Sequence, residues 1–225
     1  MGIKAIIVDT AGTTTDFQFI KEILSSYSKQ AMAAFIAENR HDFAVSTLLD
    51  DVQELAGVED LGDAELAQLL VDWIQDDSKA TAVKGLQGLI WKQGYLAGEF
   101  KGHVYEDAAR ALKQWHSSGK RLYSFSSSSA DAQELLFRHS NQGDLSGLFY
   151  GHFDTNMGQK TTAQAYKNIL NTLSLRPKQV IFISDDIREL NAAREAGLNT
   201  QQIVREPGTH QGSHPVAESF QQIRL

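Results

Sequence analysis

Asp9 closes the apolar run Ala5–Val8 and opens a small turn, Thr10-Ala11-Gly12-Thr13-Thr14-Thr15. A residue just past the C-terminal end of a parallel strand projects into the crevice where ligands bind. Asp9 is therefore placed to attack an electrophile or to bind a metal rather than to be covered by the core. Gly12 permits a tight backbone turn, and the amides and hydroxyls of Thr13 to Thr15 can cradle an oxyanion such as phosphate. Three more chemistry-bearing residues take similar positions. Ser126 follows the strand-like Arg121–Phe125, Lys160 follows Gly158 ahead of a helical pattern, and Asp185 ends the apolar run Val180–Ser184. Asp185 and Asp186 also suit a second use, capping the next helix through its exposed amides.

These positions require a sheet, and the pattern supplies one. After Asp16, a helix-capping residue type, apolar residues recur at helical spacing: Ile20, Ile23, Leu24, Tyr27, Ala31, Ala34 and Phe35. A second helix carries Val45, Leu48, Leu49, Val52 and Leu55 and ends near Gly57. A third carries Leu66, Leu69, Leu70, Trp73 and Ile74, with Asp63 as its expected cap. A fourth starts near Lys84 and breaks up around Gly94 and Gly98. From Tyr105 onward helices alternate with strands at Arg121–Phe125, Leu148–Tyr150, Val180–Ile183 and Gln202–Val204. Such alternation implies parallel pairing with right-handed crossovers. The expected fold is α/β: a Rossmann-like open parallel sheet flanked by helices, with an all-helical cap inserted after the first strand. The expected core domain is 1–16 with 105–225, and the cap domain 17–104. The tail from Pro207 to Pro215 reads as a surface loop.

Composition narrows the function. The chain has 225 residues, 42% hydrophobic and 22% charged, as in a folded globular protein. A net charge of −7 leaves no basic surplus to displace phosphate counterions, so a dedicated nucleic-acid binder is not expected. With no cysteine there is no disulfide, thiolate catalysis or Cys-based zinc site. No apolar run approaches membrane-spanning length, and Met1-Gly2-Ile3-Lys4 leads into the first strand without a signal-peptide pattern. A cytoplasmic protein with no membrane partner is expected.

A carboxylate, a hydroxyl, a lysine and a further acid, in that order at successive strand ends, resemble the haloacid-dehalogenase superfamily of phosphoryl-transfer enzymes. The segments Leu86–Tyr95, Gly98–Tyr105, Ser126–Ser140 and Gly151–Thr155 resemble, more narrowly, the enolase-phosphatases (acireductone synthases) of methionine salvage. The resemblance implies conversion of 2,3-diketo-5-methylthiopentyl 1-phosphate to acireductone and phosphate, through an aspartyl phosphate on Asp9. It implies one Mg2+ per chain, held by Asp9, Asp185 and the backbone carbonyl of Ala11. Lys160 would be catalytic and, with Ser126 and Ser127, would bind the phosphorylated substrate. The partner is a small phosphorylated metabolite, and the chain is expected to act as a monomer. Cap opening and closing would alternately exclude and admit water.

One position departs from the family pattern. Many superfamily phosphatases carry Asp or Glu two residues after the nucleophile, and this chain has Ala11. That acid serves in proton transfer, work typically worth about 10²–10⁴-fold. An enol phosphate conjugated to a ketone leaves as a stabilised enolate and needs little acid help, but the water step still lacks a base. The Asp-x-Ala-Gly-Thr opening also resembles the phosphonoacetaldehyde hydrolases, which use a cap lysine; Lys21, Lys29, Lys79, Lys84 and Lys92 are the candidates. A degenerate phosphatase that only binds phosphorylated ligands is the third alternative. Glu99, His103 and Lys92 are conceivable partners for enolisation, and Glu189, one helical turn after Asp185, could orient the metal site from behind its ligands.

Overall fold

The computed structural model describes residues 2–76, 78, 80–206 and 208–225, so the candidate Lys79 and the first tail residue Pro207 lie outside the described residues. The chain divides into two compact units, one ending at Phe17 and resuming at Lys101–Leu225, the other Gln18–Phe100.

The first unit is built on six parallel strands: β1 (Ala5–Val8), β2 (Arg121–Phe125), β3 (Phe149–Phe153), β4 (Val180–Ser184), β5 (Asn199–Ile203) and β6 (Val216–Ala217). They lie in the order β3-β2-β1-β4-β5-β6. β1 is thus the point at which successive strands depart to opposite sides, and the crevice beyond such a switch point is where open sheets bind ligands. All four β1 residues are fully buried, as both faces of a parallel sheet must be. Ala5 and Ile7 enter one core, with Phe125, Tyr166, Ile169 and Phe182; Ile6 and Val8 enter the other, with Leu112, Trp115, Phe137 and Ile183. This is the two-residue alternation of a strand. The flanking helices are α5 (Glu106–Ser117), α6 (Ala130–Arg138), α7 (Ala163–Leu173) and α8 (Ile187–Glu195).

The second unit is helical: a π-helical turn (Phe19–Leu24) runs into α1 (Ser25–Asn39), followed by α2 (Phe43–Ala56), α3 (Asp63–Gln75) and α4 (Thr81–Ala97). Met32, Ile36, Leu49, Val52, Leu66, Leu70, Val83 and Leu86 form its core. The fold class read from the sequence is the one observed.

Several boundaries move. The cap of α3 is Gly62, whose N–H is taken by the Glu65 carboxylate at 3.0 Å, and Asp63 is the first helical residue. α4 does not break at Gly94. A Cβ there would stand 2.6 Å from the Phe100 ring and 2.8 Å from that of Tyr27, so this glycine admits two aromatic rings rather than ending the helix. β3 extends to Phe153 and β5 begins at Asn199. The tail is irregular over residues 208–215 but then adds β6, too short for its alternation to register.

Candidate active site

The turn after β1 is wound on one carbonyl. Thr10 O accepts from the N–H groups of Thr13, Thr14 and Thr15 at 3.1, 3.0 and 2.9 Å, while Gly12 N–H donates to Thr15 O at 2.8 Å. These bonds form a bridge between Ala11 and Thr15 that leaves the N–H and carbonyl of Ala11 itself outside it. Gly12 has φ +78°, and a Cβ there would overlap the Asp185 carboxylate. The turn can approach that acid only as bare backbone.

Four elements converge on Asp9. Its Oδ1 accepts from Thr10 N–H at 2.8 Å and from Lys160 Nζ at 2.5 Å. Its Oδ2 accepts from Ser184 Oγ at 3.1 Å and from Thr13 Oγ1 at 3.4 Å. Thr13 Oγ1 also donates to Asp185 Oδ1 and accepts from Asp185 N–H, both at 2.9 Å. Ser126 Oγ accepts from Thr10 Oγ1 at 2.8 Å and from Ser128 N–H at 3.2 Å, which leaves its own O–H to offer to an anion. Lys160 Nζ is shared with Glu189 Oε2 at 2.8 Å. Asp9, Ser126, Lys160 and Asp185 thus meet beyond the C-terminal edge of β2, β1 and β4. The two neighbouring acids divide their work: Asp186 caps α8 by accepting from Arg188 N–H, and Asp185 faces the turn.

Two carboxylates, Asp9 and Glu189, share one ammonium, with a third, Asp185, nearby. Burial alone would lower the Lys160 pKa, but Asp9 and Glu189 overcome it and hold the ammonium above the ordinary lysine range. Burial, then repulsion from Asp9, pushes the Asp185 carboxyl up to about 6 against its hydrogen bond from Thr13. The same two causes push Glu189 up to about 8, although Lys160 pulls it down. The surplus is negative, which favours a divalent cation beside Asp9 and Asp185; an anionic phosphate would need that cation's charge. Among the described residues no three His, Cys, Asp or Glu side chains converge as metal ligands. Magnesium does not need three: it is bound by one or two carboxylates and keeps several waters. Asp9, Asp185 and the Ala11 carbonyl are all hard oxygen donors, so the residues present fit that ion.

A family model for haloacid dehalogenase-like hydrolases matches residues 3–197. The enolase-phosphatase E1 of Shewanella halifaxensis is 52% identical over 225 residues, all of both chains, and that of Shewanella amazonensis 51% over the same span. The chain belongs to the enolase-phosphatase family of haloacid dehalogenase-like hydrolases. Among solved structures, the UTR4 protein of Saccharomyces cerevisiae superimposes with a TM-score of 0.81 at 28% identity, over 99% of this chain and 100% of that one. The L-2-haloacid dehalogenase of Xanthobacter autotrophicus, 14% identical, shares the fold at a TM-score of 0.56, over 97% and 95% of the two chains.

Not every residue expected in this enolase-phosphatase's site joins the cluster. Ser127 is exposed on the loop after β2. Glu189 contacts Lys160 and Ser184, both of which bond Asp9. His103 accepts from Asp16 N–H through Nδ1 at 2.9 Å, and Thr15 Oγ1 donates to its carbonyl at 2.5 Å. Lys21, Lys92 and Glu99 are exposed, Lys29 is partly exposed, and Lys84 Nζ bonds Gln87 Oε1 at 3.1 Å. Arg205 and Asp107 carry no local sequence signal of function. They form a partly buried pair whose bonds reach the turn, and no local pattern signals a partner so far along the chain.

Proposed function

We propose that this enolase-phosphatase enolises 2,3-diketo-5-methylthiopentyl 1-phosphate and then hydrolyses the enol phosphate, yielding acireductone and phosphate in methionine salvage. The observation that carries the reading is the Lys160–Asp9 contact at 2.5 Å, formed at the sheet's switch point with Ser126 and Asp185 alongside. Asp9 Oδ attacks phosphorus, the bond to the enol oxygen breaks, and the phosphoryl group rests on Asp9 until water releases it. Lys160 holds the nucleophile before attack and a phosphoryl oxygen after it. Ser126 offers its proton to a second oxygen, and Ser127, one residue on, binds the outer part of the substrate. Ser184 and Thr13 bond the other Asp9 oxygen and so hold the orientation of the carboxylate. One Mg2+ per chain, held by Asp9, Asp185 and the Ala11 carbonyl, would supply charge neutralisation at the phosphate and polarise the substrate carbonyl during enolisation.

Ala11 has no proton to transfer, and none is assigned to the leaving oxygen: the enolate departs unprotonated, stabilised by conjugation with the ketone, and takes its proton from solvent. Residues 17–104 act as the cap of the 1–16 and 105–225 core, the enzyme works in the cytoplasm, and a monomer suffices for every role assigned. Among the described residues no helix is long and apolar enough to cross a membrane.

The test is phosphate release from 2,3-diketo-5-methylthiopentyl 1-phosphate with Mg2+, following enol and acireductone absorbance together. Phosphate appearing with acireductone is the expected outcome. Enol that accumulates without phosphate would place the defect at Ala11. Inertness there, with activity on phosphonoacetaldehyde, would overturn the reading in favour of carbon–phosphorus cleavage.

A further inference from the structure

Arg205, just beyond β5, is joined to the nucleophile turn. Its Nη2 and Nε both donate to the Thr13 carbonyl, at 2.7 and 3.1 Å. Its Nη1 donates to both oxygens of Asp107, at 2.9 Å each. The guanidinium lies over the Tyr105 ring at 4.0 Å and that of Phe220 at 5.3 Å, with the side chain 14% exposed. Asp107 in turn accepts from Ser219 Oγ at 3.0 Å and Phe220 N–H at 2.8 Å. Burial would raise the Asp107 carboxyl, but these bonds and Arg205 hold it below its ordinary range. Asp107 is therefore ionised, and both side chains are fixed on several sides.

Thr13 is the residue whose hydroxyl lies between the two acids of the site, 2.9 Å from Asp185 Oδ1 and 3.4 Å from Asp9 Oδ2. Its hydroxyl position follows from its backbone, and Arg205 grips the carbonyl of that backbone. Tyr105, beneath the guanidinium, donates its own N–H to Thr14 O at 2.9 Å, so the face on which Arg205 rests is bonded to the same turn. A lysine cannot replace this arrangement, because one ammonium lacks the planar fork that serves a carbonyl on one edge and a carboxylate on the other.

We infer that Arg205 is a positioning residue for the phosphoryl transfer: through the Thr13 carbonyl it sets the separation of the Asp9 and Asp185 carboxylates. The inference rests on the function proposed above and assigns no contact between Arg205 and substrate. A purely structural residue would cost stability when replaced and leave each folded molecule fully active. A positioning residue costs turnover in molecules that remain folded, since small misplacements of reacting groups lower rates by about 100-fold.

The experiment compares wild type, Arg205→Gln and Arg205→Lys by three readouts. These are kcat and KM on the diketo phosphate, the 19F resonances of a beryllofluoride adduct on Asp9 formed in Mg2+, and the thermal midpoint. Arg205→Gln is expected to lower kcat about 100-fold with KM within about 3-fold of wild type, and to weaken or broaden the adduct signals. Arg205→Lys, which keeps the charge and the stem, should recover less than a tenth of wild-type kcat and carries the test if Arg205→Gln does not fold. Folded variants with kcat within about 3-fold of wild type and unchanged adduct spectra would overturn the inference. A wild-type enzyme inert on the diketo phosphate overturns the proposed function instead, and the adduct comparison still decides the part played by Arg205.

Discussion

The two units bury different chemistry. Beneath the helical surface of Gln18–Phe100 the core is apolar, and among the described residues Ser28 and Gln87 are the buried polar side chains there. The sheet unit buries Asp9, Thr10, Thr13, Thr14, Thr15, Ser126 and Ser184 in a contiguous stretch around the end of β1. A buried polar group is costly unless its hydrogen bonds are made, and each of these is engaged. Packing specifies the one unit; hydrogen-bond geometry specifies the region around Asp9 in the other. Damage to the first should therefore appear as lost stability, and damage to the second as lost turnover.

The largest expected effect tests the polar side of that contrast. Asp9→Asn should lower phosphate release by about 10⁴-fold or more while circular dichroism and thermal unfolding report a folded chain. A variant that still turns over would rule out the covalent route. On the apolar side, Leu70→Ala removes a fully buried side chain and should cost about 2–5 kcal/mol by denaturant titration, with kcat per folded molecule unchanged. Loss of kcat at full stability would blur the division. A smaller cost is expected at Gly94. Helix propensity alone favours alanine there, but the added Cβ meets Phe100 and Tyr27, so Gly94→Ala should destabilise by about 1–3 kcal/mol. A gain in stability would mean the rings can withdraw.

The mildest prediction concerns pH. His152 Nδ1 lies 2.6 Å from Ser124 Oγ, and the ring stacks on Phe137 with centroids 6.0 Å apart. Burial, only partly offset by Glu134, lowers its pKa from the ordinary 6.5. The unfolded chain then takes up a proton that the folded protein resists. Stability from this group is complete above about pH 6.5 and is lost as the pH falls toward the folded value. His152→Gln should flatten that part of a stability-versus-pH curve, and an unaltered slope would assign it to other groups.

Much of the sheet unit was legible because its signals are local. An apolar run followed by a polar residue marks a strand end wherever the run lies, so Asp9, Ser126 and Asp185 stood out singly, and the order of types joined Lys160 to them. What the sequence hid depends on pairing across distance. Glu189 could be read as a neighbour of Asp185 but not as the partner of Lys160, since that contact crosses from one loop to another helix. Arg205 resembles any solvated arginine until the fold delivers it to Thr13, 192 positions away. β6 spans two residues and carries no period. Gly94 read as a break because glycine usually ends helices; the two rings that need its missing side chain come from Tyr27 and Phe100.

β1, placed at the centre of the sheet, also fixes an order of events in the making of the protein. Its partners are Arg121–Ser124 and Val180–Ile183, so the strand that delivers Asp9 has nothing to pair with until the intervening helical segment and α5 have been synthesised. The helices of Gln18–Phe100 pack on residues close by in the chain and can fold as they emerge, whereas closing the long loop back to β1 is slow. During that interval Ala5-Ile6-Ile7-Val8 is an exposed, uncharged, β-prone segment. The nascent chain must keep its most apolar strand out of trouble longest, and a chaperone that binds short extended apolar peptides would find its target there.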